Sequence, residues 1–327
     1  MSSADTPAVD AVVVGAGVVG LTTAISLAEA GLRTRIVTAA PPRETTSAAA
    51  GAIWGPVRCG PPDRIYEWSQ EGLAVLSKLA AEPAAGIRHV SGVEVADVPA
   101  TPETWLGLLP DARLLGDGEL PSGFVSGWRY TAPVVTMPAY LDYLRERYTA
   151  AGGSITVSPV TSLAARALAD VAGDAPVVVN CTGIGARELV PDPSMVPIRG
   201  QVVVVENPGI DEFYIDHTLH GWDYVYIFPH GDLVLLGGTA EEGATDLAPR
   251  PDVAARIVRD CARVHPRLAQ ARVVDERVGL RPYRQSVRLE SQPLPDGRVL
   301  WHNYGHGGGG VTLSWGCARE IARGVGA

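Results

Sequence analysis

AVVVGAGVVGLTTAISLAEAGLRTRIV, residues 11–37, reads as strand, glycine turn, helix and strand. Residues 11–14 are small or β-branched and apolar, as in a strand buried on both faces of a parallel sheet. Gly15, Gly17 and Gly20 follow at once as GxGxxG. Gly15 makes the tight turn, Gly17 lets a pyrophosphate approach the backbone, and Gly20 lets the helix lie close to the strand. The helix opens at Val18 and Val19, turns Val18, Leu21, Ile25 and Leu27 inward, and reaches a C′ glycine at Gly31. Its N-terminus is suited to an anion. Between two predicted strands, the pattern indicates a dinucleotide site in a Rossmann-like α/β fold rather than a structural turn.

One expected feature is missing. An acidic residue about 20 positions on ordinarily binds a ribose 2′-hydroxyl, and Thr38, Ala39 and Ala40 stand there instead. Ribose recognition falls to Thr38 and Arg43 as candidates. The gap weighs more against NAD than against FAD, which is held by contacts along its whole length.

Composition narrows the class. The 327 residues suggest about two domains, and 46% hydrophobic with 19% charged residues suits a globular enzyme. Lys78 is the only lysine, which leaves little scope for Schiff-base chemistry. A net charge of -9 argues against a nucleic-acid partner, which requires a positive footprint. Cys59, Cys181, Cys261 and Cys317 show no CxxC spacing and are expected to be reduced and mostly buried. Asp5 and Asp10 precede the first apolar run without a basic n-region, so no signal peptide is expected. No run approaches the length of a membrane span. A cytoplasmic protein is the expectation, with a homodimer left open.

Further along, residues 41–60 form a small-residue loop in which Thr45, Thr46 and Ser47 can cap phosphates or a helix. Residues 63–81 read as a core helix. Strands are expected at 90–98 and 124–131, then a helix capped by Thr136, then a strand at 155–160. Residues 176–185, PVVVNCTGIG, form a strand of the same sheet as the first. Runs at 198–205, 222–228 and 233–237 suit an antiparallel sheet, and 251–264 a helix. The glycines at 307–310 feed a last helix near Val311, whose N-terminus can stabilise negative charge on a flavin ring. The spacing predicts a discontinuous FAD-binding domain (1–57, 133–190, 270–327) and a substrate-binding α+β domain on a mostly antiparallel sheet (58–132, 191–269).

On these segments the chain resembles the D-amino acid oxidase family, flavoenzymes sharing a fold with glycine and sarcosine oxidases. The resemblance rests on VVVGAGVVGL (12–21), TTSAAAGAIWGP (45–56), VVVNCTGIGA (177–186), IRGQ (198–201), VGLRPYR (278–284) and HNYGHGGGGVTLSWGCA (302–318). It implies that Arg281 clamps the substrate carboxylate, Tyr226 binds the same group, and the Gly308 carbonyl accepts the substrate amine. An arginine fork suits such bidentate pairing. It places Ser47 at the pyrophosphate, Val160 near the adenine, Thr182 at the cofactor border and Thr312 beside the flavin. Ala50, Gly51, Cys181, Gly183, Gly307, Gly309, Gly310 and Val311 complete the expected FAD contacts.

Two departures concern the substrate side. Family members carry a second tyrosine on a mobile lid, four residues before the first; Trp222 stands there, with Tyr224 two residues before Tyr226, so a shortened lid is expected. Gly309 replaces an aromatic residue of animal members, which implies a larger pocket. Trp54, Trp222 and Tyr224 are the pocket candidates. The implied reaction is oxidative deamination of neutral D-amino acids by hydride transfer to flavin, with dioxygen as acceptor. The alternatives are a glycine, sarcosine or D-aspartate oxidase and, less favoured, a non-catalytic nucleotide-binding module. His217 and His220 are weak candidates for a D-aspartate side chain, and no metal site is expected.

Overall fold

The first strand, β1 (Ala11–Val14), is at most 2% exposed. Ala11 and Val13 join the main core on one face, while Val12 and Val14 pack with Leu163, Ala172 and Leu300 on the other. A strand apolar on both sides is satisfied only at the centre of a covered sheet. The computed structural model describes residues 9–57, 59–116, 118–164, 170–217 and 225–326.

Beyond β1, the strands in chain order are β2 (Thr34–Thr38), β3 (Ile87–Ala96), β4 (Arg113–Leu114), β5 (Ser126–Val135), β6 (Ser154–Val157) and β7 (Val177–Asn180). They continue as β8 (Val196–Glu206), β9 (Phe213–Asp216), β10 (Val225–His230), β11 (Leu233–Gly237), β12 (Glu241–Glu242), β13 (Val273–Pro293) and β14 (Val299–His306). Among the described residues they form one sheet, ordered β4-β5-β3-β9-β10-β11-β8-β13-β14-β7-β1-β2-β6, with β12 on β8. From β14 to β6 the pairing is parallel. From β9 to β14 it is antiparallel.

The predicted elements recur with shifted ends. The strand expected at 90–98 runs Ile87–Ala96, and that at 124–131 runs Ser126–Val135. Val160 lies beyond β6 rather than inside it. Part of the run at 222–228 lies outside the described residues, and β10 begins at Val225. Thr136 precedes the helix Met137–Ala150, but its hydroxyl bonds His230 Nδ1 at 3.1 Å and does not cap. The longest strand, β13, is not evident from periodicity, because much of it is half-buried and polar.

The principal helices are α1 (Val18–Glu29), α2 (Pro62–Leu79), α3 (Met137–Ala150), α4 (Pro251–Val264) and α5 (Gly310–Gly324). At the α1 turn, a Cβ on Gly20 would stand 1.9 Å from the Gly15 carbonyl oxygen, so only glycine permits this approach. Helices α2 and α5 cross through a reciprocal pair of glycines. A Cβ on Gly72 would fall 2.0 Å from the Thr312 carbonyl oxygen, and one on Gly316 would fall 2.4 Å from Trp68 Cα. Each glycine faces backbone across the crossing, and the residues concerned are spaced i, i+4 on both helices.

This close approach sets a sign. In an isolated helix Gly→Ala gains about 1 kcal/mol. At Gly72 the added methyl meets backbone, and overpacking costs about 1–3 kcal/mol or more. Gly72→Ala is therefore expected to lower the melting temperature by several degrees; a rise would show that the helices separate without cost.

Candidate functional site

A cavity of about 660 Å³ runs from the C-terminal ends of the parallel strands to the face of the antiparallel ones. Its nucleotide end is built by the α1 turn. Gly15, Gly17, Val18 and Val19 line it, and Val18 N–H donates to the Ser47 hydroxyl at 3.0 Å. A Cβ on Gly17 would come within 3.1 Å of that hydroxyl. The first turn of α1 holds no acidic residue and its N-cap residue, Gly17, has no side chain, so apart from the Ser47 contact its positive end remains available to a phosphate. Thr45 and Thr46 adjoin Ser47, and Thr38, Val160, Cys181, Thr182 and Gly183 close this end.

The ring end is formed where β14 passes into α5. Gly307, Gly308, Gly310 and Val311 line the cavity opposite Ala50, Gly51 and Trp54. Asn303 Oδ1 and His306 Nε2 are buried without hydrogen-bond partners among the described residues, and both residues line the cavity. Buried polar groups ordinarily have partners. An extended dinucleotide with a hydrogen-bonding ring fits this surface, and the residues named here would hold FAD.

At the substrate end, strand register decides which side chains meet. Glu94 pairs with Ile215, Ile215 with Tyr226, Tyr226 with Gly237, and Gly237 with Val202. Cross-strand partners share a face. Two residues along β8, Gly200 is on that face, with Arg281 two residues beyond its partner Gly279. The missing side chains make the room: a Cβ on Gly200 would overlap the Arg281 guanidinium at 2.3 Å, and one on Gly237 would overlap the Tyr226 ring at 1.9 Å. Arg281 donates to the Thr239 carbonyl oxygen at 2.9 Å and, among the described residues, has no salt bridge to a carboxylate. Burial raises the Tyr226 phenol's pKa and the neighbouring Arg281 opposes the rise. Tyr226 also stacks on Phe228, with ring centroids 4.8 Å apart.

Not every expected site residue lines this space. Arg43 is paired with Asp142 on the surface, so its ribose role is not supported by its position. Thr312 is buried with its hydroxyl bonded to both Gly55 N–H and Gly55 carbonyl at 3.0 Å, which fixes the loop before α2. Gly20 serves packing. Gly309 faces Cys59, whose Sγ would lie 2.9 Å from an added Cβ, so its missing side chain makes room for Cys59 rather than enlarging the pocket. Trp222, Tyr224 and His220 lie outside the described residues. Burial pushes Cys59 and Cys181 up to about 12, which makes both poor nucleophiles at neutral pH.

Other lining residues were not anticipated. Glu44 and Glu188 supply carboxylates near the nucleotide end, six residues after Thr38 in the first case. Glu94, Trp105, Tyr130 and Ile215 line the substrate end. The alternation Val93, Glu94, Val95 on a strand could have flagged Glu94, because it places a carboxylate opposite two apolar neighbours. The IRGQ tract has a structural role: Arg199 is fully buried, pairs with Glu241 and donates to the carbonyls of Asp246 and Ala248. Among the described residues no group of His, Cys, Asp and Glu could hold a metal.

Comparison with known proteins agrees with this layout. The DAO family of FAD dependent oxidoreductases matches residues 10–323. The D-amino-acid oxidase of Rubrobacter xylanophilus is 47% identical over 97% of this chain and 96% of its own. That of Streptomyces coelicolor is 48% identical, over 96% of each. The glycine oxidase of Bacillus cereus superposes with a TM-score of 0.79 at 18% identity, covering 97% of this chain and 95% of its own, and so shares the fold.

Three histidines give the molecule a predictable acid response. Burial holds His230, His302 and His306 at about 4, below the usual 6.5. Between those values the unfolded chain binds more protons than the native one, so stability is complete above about pH 6.5 and declines toward pH 4. Thermal melts across this range are expected to show that decline; a flat profile would contradict the neutral buried histidines.

Proposed function

From the premise that this chain belongs to the DAO family of FAD dependent oxidoreductases, we propose that it oxidatively deaminates D-amino acids. The observation that carries the reading is the Arg281 guanidinium. It stands in a cavity beside Tyr226, without a carboxylate partner among the described residues, at the opposite end from a dinucleotide fingerprint. A nucleotide sensor needs no such group.

Arg281 and Tyr226 bind the substrate carboxylate, the arginine through paired N–H donors. The Gly308 carbonyl accepts the α-amino group. These contacts fix the orientation of Cα and so determine which enantiomer presents its α-hydrogen to the ring end of the cavity. FAD, held by the Gly15–Gly17 turn, Ser47 and the glycines at 307–308, would supply the hydride acceptor and the route of two electrons to dioxygen, so that the products are hydrogen peroxide and an imino acid that water converts to a 2-oxo acid and ammonia. Trp54 and Trp105, edge to face at 5.6 Å, wall the cavity with apolar surface. Water exclusion there strengthens the arginine's hold on the carboxylate.

Neutral side chains fit better than anionic ones. D-aspartate would need a second cation, and Arg281 is the only arginine or lysine among the described lining residues. His217, the alternative, is engaged with Glu94 at 2.5 Å. We assign residues 1–57, 133–190 and 270–327 to the FAD-binding part, on the parallel strands and the glycine turns, and 58–132 and 191–269 to the substrate part. No described helix is long and apolar enough to cross a membrane. Four unpaired cysteines suit a reducing compartment such as the cytoplasm.

The test is Arg281→Leu. Losing one partner of a desolvated charge pair costs about 2–5 kcal/mol, so kcat/KM for a neutral D-amino acid should fall at least about 30-fold, mainly through KM. Flavin content should be unchanged. Unaltered kinetics would remove Arg281 from the site.

A further inference from the structure

The catalytic contacts leave one buried charged group in the cavity without a function. Glu94 is 6% exposed, lines the substrate end and faces the same side of the sheet as Tyr226. Its Oε2 accepts from the Tyr130 hydroxyl at 2.7 Å, and its Oε1 lies 2.5 Å from His217 Nε2. Tyr130 is held edge to face against Trp105, which is itself set against Trp54. Tyr130, braced by Trp105, and His217 thus hold this carboxylate in place.

Its location relative to the clamp follows from register. Glu94 and Tyr226 are separated by one strand, β9, and neighbouring strands lie about 4.8 Å apart. Their Cα atoms are therefore about 10 Å apart, with Ile215 between them. The Tyr226 ring leans the other way, over Gly237 and toward Arg281. A substrate carboxylate held at Arg281 and Tyr226 leaves its side chain to extend across Ile215 toward Glu94. That span suits side chains of the length of glutamine, lysine or arginine.

A carboxylate offers about four lone-pair sites, and the two hydrogen bonds above use two of them. The rest can accept from a ligand. A cation or N–H donor at the end of a side chain is attracted here, and a second carboxylate is repelled.

We propose that Glu94, positioned by Tyr130 and His217, is a specificity-determining residue at the end of the side-chain pocket. It favours D-amino acids ending in a hydrogen-bond donor or cation and rejects those ending in a carboxylate. The proposal rests on the D-amino acid reading and deepens it.

Matched substrate pairs provide the test, using the FAD-loaded enzyme. D-glutamine and D-glutamate differ in charge but hardly in shape, and D-norleucine is D-lysine without its terminal ammonium. Wild-type kcat/KM is expected to favour D-glutamine over D-glutamate at least a hundredfold. Glu94→Gln should narrow that gap at least tenfold by improving D-glutamate, and should lower D-lysine at least tenfold relative to D-norleucine. Ratios unchanged within twofold, or equal losses on all four substrates, would overturn the proposal. If Glu94→Gln does not fold, the wild-type D-glutamine to D-glutamate ratio decides alone, and a ratio near one rejects it. Oxidation of D-norleucine with no selectivity contradicts only this inference, whereas failure to oxidise any D-amino acid removes the underlying reading as well.

Discussion

The seam between β8 and β13 is the constraint on which the rest of the structure depends. Strand β13 pairs with β8 on one side and β14 on the other, joining the antiparallel strands to the parallel ones. Its register sets Gly279 against Gly200 and Arg281 against Ile198. Because Gly200 has no side chain, the Arg281 guanidinium lies against the strand instead of projecting into solvent. A shift of one residue would turn Arg281 to the opposite face. The same pairing positions β14, whose end delivers Asn303, His306 and the glycine run to the other side of the cavity.

Polar groups concentrate at the cavity and are scarce on its apolar walls. Arg281 projects from one part of the sheet, Glu94 from another, and unpartnered Asn303 and His306 atoms from a third. Elsewhere the buried charges are neutralised within the protein. Arg199 satisfies its guanidinium with Glu241, Gln201 and two carbonyls. Asp192 accepts from Tyr304 and Arg284. The Asn303 and His306 atoms that meet the cavity are thus candidates for ligand contact, since leaving such groups unpaired is costly unless a ligand satisfies them.

Much of the fold was legible because local rules govern it. The apolar β1, the Gly15 turn and the start of α1 follow from steric and burial requirements within ten residues of sequence. Helix 251–264 follows from an apolar stripe and occupies Pro251–Val264. What was not legible depends on long-range packing. The reciprocal contacts of Gly72 and Gly316 exist only once two helices cross, and neither glycine stands out in its own segment. Thr312 is turned to Gly55, which is 257 residues away. Arg43 has the right chemistry for a ribose, but Asp142 on α3 holds it outside. Glu94 joins the substrate end only because β9 and β10 bring Ile215 and Tyr226 beside it.

The most direct measurement is the visible spectrum of the purified protein under anaerobic conditions, before and after addition of single amino acids. A yellow protein bleached by D-alanine or D-methionine and unaffected by L-alanine is the predicted result, because it reports flavin, substrate class and enantiomer together. A colourless protein that takes up no added FAD, or a flavin reduced by the L-enantiomer and not by the D-enantiomer, would contradict the account.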